Sequence, residues 1–168
     1  MGHITVSSLV AYSFSHLHFP GRDTLFTLMI STMIIPPVVY LVPQYLIFNR
    51  LGWVNTFLPL VVPAYLGFPF YIFLLRQFFS NIPEELLDAA RIDGCSELGI
   101  WWKLILPLSR PALSVIGIFS IVGRWNDFMA PLIYLIDQSK KTLALGLYEF
   151  MGLDLVWWNW LMAAAMVT

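Results

Sequence analysis

Long runs without charge set the limits for this chain. Thr24 to Asn49, Leu51 to Leu75 and Leu155 to Thr168 hold no charged residue, and Pro111 to Ile136 holds only Arg124 and Asp127. Met1 to Phe19 carries no charge apart from its histidines, His3, His16 and His18. A helix crosses a hydrocarbon layer about 30 Å thick with ~20 mostly apolar residues. Residues 24–49, 51–75 and 111–136 are long enough to do so, and the runs at the two ends read as partial spans.

Composition agrees. Of 168 residues, 59% are hydrophobic and 11% are charged. Soluble domains run at about 45–50% apolar and about 25% charged. A domain of this size hides only about 70% of its unfolded surface, so this much apolar side chain has no soluble core to enter. An ordinary soluble enzyme and a disordered chain are both excluded. The net charge of -1 gives no nucleic-acid footprint. A single cysteine, Cys95, leaves no internal disulfide framework and no cysteine-only metal site. The fold class that remains is all-α, a polytopic transmembrane helical bundle. It has about five visible spans, the terminal ones incomplete.

The central runs are rich in proline, with Pro36, Pro37, Pro43, Pro59, Pro63 and Pro69. Proline removes a backbone donor and bends a helix. Membranes tolerate this where neighbouring helices or a cavity satisfy the freed groups. Bent helices around a pathway and kinked helices in a rigid bundle both fit. The final run opens with Trp157, Trp158 and Trp160, residues that favour the membrane–water interface. It stops short of a full crossing, so the chain is expected to be a piece of a longer one. Met1-Gly2-His3-Ile4 lacks the basic region and cleavage site of a signal peptide.

Lys and Arg concentrate in cytoplasmic loops. Arg22, Arg76, Arg91, Lys103 and Arg110 fall on one side, against Arg50, Lys140 and Lys141 on the other, five to three. The count favours a cytoplasmic 76–110.

Residues 80–110 hold half of the acidic residues: Glu84, Glu85, Asp88, Asp93 and Glu97. Pro83 suits a first helical turn. Glu84 and Glu85 then sit where the helix dipole favours negative charge. Leu86, Leu87 and Ala90 give one apolar side, and Gly94 stops the helix. Ser96 can cap a second helix from Glu97 to about Leu106, with Pro107 expected to close it. Two short helices joined by a glycine hinge therefore lie between two spans. By composition alone this is either a solvated connection or a docking element. The small Ala89 and Ala90 permit close approach of another backbone.

The stretch resembles the EAA loop of permease subunits of bacterial ABC importers. That pattern is Glu-Ala-Ala, three residues, Gly, nine residues, and Ile-x-Leu-Pro. Here Asp88-Ala89-Ala90 leads over three residues to Gly94, and nine more reach Leu104-Ile105-Leu106-Pro107. Asp88 stands for the family's Glu and Leu104 for its Ile. Elsewhere the chain resembles the maltose-type sugar permeases. The similar stretches are Ala11-Tyr12-Ser13-Phe14 with Phe19-Pro20-Gly21-Arg22, and Pro43-Gln44-Tyr45-Leu46-Ile47-Phe48 with Leu51-Gly52-Trp53-Val54-Asn55-Thr56. Trp125-Asn126-Asp127-Phe128 with Pro131-Leu132, and Thr142-Leu143-Ala144-Leu145-Gly146-Leu147, are similar too.

The resemblance implies one transmembrane permease domain over 1–168 in a bacterial cell inner membrane, missing its first span and most of its last. It implies that 80–110 is a cytoplasmic coupling loop, with Asp88, Ala89, Ala90, Gly94, Leu104, Leu106 and Pro107 at the motif positions. The partners it implies are an ATP-binding cassette ATPase dimer, a second permease subunit and an extracytoplasmic solute-binding protein. No nucleic acid or cofactor is expected. A permease of another ABC import class, for phosphate, amino acids or peptides, is the alternative. The chain has no phosphate-binding Gly-x-x-x-x-Gly-Lys-Ser/Thr, so ATP hydrolysis is expected on another polypeptide.

Within the last complete run, Arg124 and Asp127 share a helical face at a spacing of three. Ionisable groups at membrane depth face a cavity or the bundle interior. Arg124, Trp125, Asn126 and Asp127 are thus candidates for a sugar pathway, with Trp125 as a stacking surface and Asn126 as a hydrogen-bonding group. A structural ion pair is the other reading. His16 and His18, two apart, do not share a helical face and make a poor metal site. No metal site and no catalytic residue are expected.

Overall fold

The computed structural model describes residues 2–149 and 158–166. The described residues are helical, without strands. They fall into two compact units, Met1–Val39 with Pro63–Ser120, and Tyr40–Val62 with Ile121–Thr168.

In the first unit, α1 (Gly2–His16) lies along α5 (Pro69–Phe79). Burying apolar surface between helices adds little drive in lipid, so such contacts rely on small residues and hydrogen bonds. The buried positions of α1 include Gly2, Ser7, Ser8 and Ala11. Ser7 Oγ accepts from the Phe68 N–H at 3.1 Å, capping the approach to α5. Gly67, just before it, has φ +81°, a conformation that Cβ-bearing residues adopt at a cost. Tyr71, Ile72, Leu75 and Phe79 recur at helical spacing and form the buried face of α5. At the far end Arg76 donates from Nε to the Phe14 carbonyl at 3.2 Å, with its guanidinium 4.1 Å from the centre of the Phe26 ring.

Between α1 and α5 run α2 (Arg22–Ser31), α3 (Pro37–Arg50) and α4 (Leu58–Val61). None of the residues of α2 is buried. After α5 come the short α6 (Glu84–Ile92), α7 (Glu97–Ile100) and α8 (Leu106–Leu108), and then α9 (Arg110–Trp125). Leu87, Ile100, Trp101 and Ile105 enter the same core as Tyr12, Leu75 and Phe79. The short helices are therefore rooted in the helices of the membrane, not hung from them by flexible loops.

The second unit is organised by aromatic side chains and one polar knot. Phe48 stacks on Trp53 at 5.4 Å and meets Tyr134 edge-on at 5.3 Å. Its other helices are α10 (Met129–Tyr134), α11 (Leu143–Glu149) and α12 (Trp158–Ala165). Trp157 and the residues before it in the tryptophan run lie outside the described residues.

Among the described residues one helical run, Leu58–Phe79 at 22 residues and taking in α4 and α5, is long and apolar enough to span a membrane. Two bent pairs, Arg22–Ile34 with Pro37–Arg50 and Glu97–Leu108 with Arg110–Trp125, pass the same test if each counts as one span. The uncharged runs thus differ from helices in detail. Residues 24–49 break at Ile35 and Pro36, because proline disfavours helical geometry in the residue before it. Residues 111–136 break after Trp125, and a new helix starts at Met129.

The helix expected to close at Pro107 passes through it and ends at Leu108. A π-turn over Trp101–Ile105 precedes the proline, and the Leu106 N–H bonds five residues back to the Trp101 carbonyl. The wider turn absorbs the donor that proline lacks. The helix runs on to Leu108 and then turns by 81° into α9.

Candidate functional site

The helix pair at residues 83–108 is built by local signals. Pro83 stands at the N-cap of α6, followed by Glu84 and Glu85 in its first turn. At the other end the Gly94 N–H bonds to the Arg91 carbonyl and the Cys95 N–H to the Ala90 carbonyl, both at 3.0 Å. Gly94 has φ +81°. This is a complete Schellman cap, and it fixes where the chain leaves α6. Ser96 then caps α7, its Oγ accepting from the Gly99 N–H at 3.2 Å. The first helix, the glycine hinge and the start of the second helix lie at the expected residues; the second helix ends two residues later than expected.

A polar chain ties the pair together. Arg91 donates from Nη1 to Asp88 Oδ1 at 2.8 Å and from Nε to Glu97 Oε1 at 2.9 Å. The other Glu97 oxygen accepts from the Tyr12 hydroxyl of α1. Hydrogen bonds from Arg91, and next from Tyr12, hold the Glu97 carboxyl below the usual carboxylate range. The bonds to Glu97, and next to Asp88, push the Arg91 guanidinium further up.

The motif positions divide by exposure. Asp88, Ala89, Gly94 and Pro107 are exposed, whereas Ala90, Leu104 and Leu106 are half-buried and pack on the core. Around the exposed ones stand large apolar side chains: Ile92 is 87% exposed, Leu98 64% and Trp102 63%. Exposed apolar side chains clustered on one element make it a candidate docking surface.

The second set of candidates lies at the end of α9. Arg124 Nη1 is 3.5 Å from Asp127 Oδ2, so the ion pair inferred from spacing exists. Asp127 Oδ1 also accepts from the Ala130 N–H at 3.3 Å, at the start of α10. Asn126 Nδ2 donates to the Val122 carbonyl at 2.9 Å. Trp125 is 60% exposed. Asp127 and Asn126 thus have structural work at a helix break, while the Trp125 ring stands open.

Sequence reasoning missed three features. It named Asp88 only as a motif position, yet Arg91, one turn on, bonds it; the i,i+3 spacing was a legible signal. It assigned no role to Tyr12 or Glu97, which are 85 residues apart. It also passed over Asn55, which has φ +63°. The Asn55 side chain donates to Asp137 Oδ2 at 2.8 Å and accepts from the Ile136 and Asp137 N–H groups at 3.2 and 3.0 Å. Lys140 Nζ donates to the Asn55 carbonyl at 2.8 Å. The bond from Asn55, and next that from Lys140, lowers the Asp137 carboxyl.

A helical membrane bundle with a capped, outward-facing helix pair rooted in its core describes a class of transport protein. Residues 3–168 match the family described as binding-protein-dependent transport system inner membrane component, and the chain belongs to that family. Protein LplC of Bacillus subtilis is 37% identical over 83% of this chain and 46% of its own length. The arabinooligosaccharides transport system permease protein AraQ of Halalkalibacterium halodurans is 38% identical over 84% of this chain and 50% of its own. The sn-glycerol-3-phosphate transport system permease protein UgpE of Yersinia enterocolitica is 32% identical over the whole chain and 60% of its own length. The chain spans about half the length of the curated relatives it matches. A crystal structure of a bacterial ABC transporter involved in the import of the acidic polysaccharide alginate superimposes with a TM-score of 0.81 at 25% identity. It covers 98% of this chain and 57% of the other.

Proposed function

We propose that this chain forms the core of a permease subunit of an ATP-driven importer in a bacterial inner membrane. It would supply half of the pathway for a sugar or a related polar solute, as a single permease domain. The observation that carries the reading is the helix pair at 83–108. Its Leu87, Ile100 and Ile105 are locked in the core while Ile92, Leu98 and Trp102 project outward. A bundle with no further task has no use for a rigid apolar protrusion.

The pair would sit in a cleft of an ATPase subunit, which hydrolyses ATP on a separate chain. Gly94 allows the bend, and the small Ala89 lets the partner backbone approach. Closure of an ATPase dimer would carry the pair with it and shift the permease from inward-open to outward-open, a rigid-body population shift. A second permease chain would complete the pathway, and an extracytoplasmic solute-binding protein would deliver the solute. Arg124, Trp125, Asn126 and Asp127 are its pathway candidates: Trp125 offers an open ring for sugar stacking and the Arg124–Asp127 pair a polar rim. The names of the relatives favour oligosaccharides and glycerol phosphate over amino acids or peptides as the class of solute.

The test is uptake by proteoliposomes holding the full-length chain with its genomic partners. ATP-dependent uptake of a labelled oligosaccharide, stimulated by the solute-binding protein, is the expected result. Uptake that ignores ATP, or a complex that retains no ATPase subunit, overturns the reading.

A further inference from the structure

We propose that Tyr12, Glu97 and Arg91 form a polar latch that transmits displacement of the helix pair into the membrane helix α1. This rests on the coupling role just proposed and names the side chains that would carry it.

Glu97 uses both carboxylate oxygens, and each goes to a different element. Oε1 accepts from Arg91 on α6, and Oε2 accepts from Tyr12 on α1. Glu97 itself stands at the start of α7. Three helices thus meet at one carboxylate. Arg91 adds a third bond by reaching back to Asp88, a motif position on the exposed side of α6. An unbroken line of charge-assisted bonds runs from the docking face to a residue 2% exposed in the core.

Apolar packing already roots the pair, through Leu87, Ile100, Trp101 and Ile105. Such packing is non-directional. Hydrogen bonds to a fixed carboxylate are directional, and charge strengthens them. Tyr12 has little freedom to give, since its ring is enclosed and tilted against His16 at 5.8 Å. Networks of this kind can carry coupling between distant sites, and a measured coupling effect is what shows that they do. Tyr12, Glu97 and Arg91 are accordingly positioning residues, acting through the helices they join.

Tyr12→Phe removes the hydroxyl and keeps the ring. In the intact transporter, ATPase retention and hydrolysis should stay within about two-fold of the parent while solute uptake falls about ten-fold, so that more ATP is spent per solute. Glu97→Gln tests the same joint from a half-exposed position that leaves the packing alone. It should uncouple in the same direction, whether or not Tyr12→Phe accumulates. Parental uptake in Glu97→Gln overturns the latch. So does a proportional fall of uptake, hydrolysis and ATPase retention together, which marks a purely structural joint. Failure of the parent transporter to bind an ATPase would instead overturn the coupling role itself.

Discussion

Arg91 and Glu97 meet at 2.9 Å across the Gly94 turn, one on each of the short helices that the turn joins. The pair is part-exposed, and exposed ion pairs contribute about 0–1 kcal/mol. Its use is orientation: with the Schellman cap it sets the angle between α6 and α7, and hence the shape that the exposed Ile92, Leu98 and Trp102 present.

Gly94 should tolerate asparagine and reject valine. Its φ of +81° strains a β-branched residue, while an added Cβ meets nothing within 4 Å. The cost is therefore backbone strain, about 1–2 kcal/mol, and not a clash. Asparagine adopts this conformation readily. At matched membrane levels Gly94→Val should co-purify less ATPase subunit than Gly94→Asn. Equal retention by the two would show that the turn geometry is not what the partner reads.

The Arg91–Glu97 joint should fail in acid. The folded carboxyl titrates below its unfolded value, so its contribution is fully present above the unfolded pKa of about 4.3 and is lost as pH falls through the folded one. Hydrogen exchange at residues 84–100 of the detergent-solubilised chain should be constant from neutral pH to about 5, after correction for intrinsic rates. It should rise below about 4. Glu97→Gln should lack this acid step; a step that survives the substitution belongs to another group.

Asn55 holds a turn by its side chain and its backbone at once. Asn55→Gly keeps the φ of +63° and loses the bonds to Asp137 and Ile136. Three bonds are lost, and net values of ~1 kcal/mol per bond suggest a loss of about 2–3 kcal/mol. Asn55→Ala adds the strain of the left-handed backbone and should be worse by about 1 kcal/mol. Thermal unfolding followed by tryptophan fluorescence tests the order; an alanine variant as stable as the glycine one removes the conformational argument.

Asp127→Asn separates cap from charge. The amide oxygen can still accept from the Ala130 N–H, whereas the ion pair to Arg124 is lost. Assembly should stay at the parental level while uptake drops several-fold. Parental uptake would leave Asp127 as a helix cap only.

Much of this was legible in the chain. Pro83, Gly94 and Ser96 each specify a local geometry through neighbours a few residues away, so the first helix, the turn and the start of the second helix could be written down from sequence. Arg124 and Asp127 were legible for the same reason. Tyr12 with Glu97 and Asn55 with Asp137 were not, since each pair is more than 80 residues apart. Pro107 misled because a π-turn, which no single residue announces, absorbs its missing donor.

The amino-acid sequence by itself determined the membrane class and the caps at Pro83, Gly94 and Ser96, because charge, apolar length, proline and glycine act over one helical turn or one bilayer thickness. Only the tertiary structure decided that Glu97 would be shared between Arg91 and Tyr12, and which apolar residues of the helix pair stay outside the core. Those outcomes depend on packing α1 against α5, and packing brings together residues that nothing in their local sequence relates.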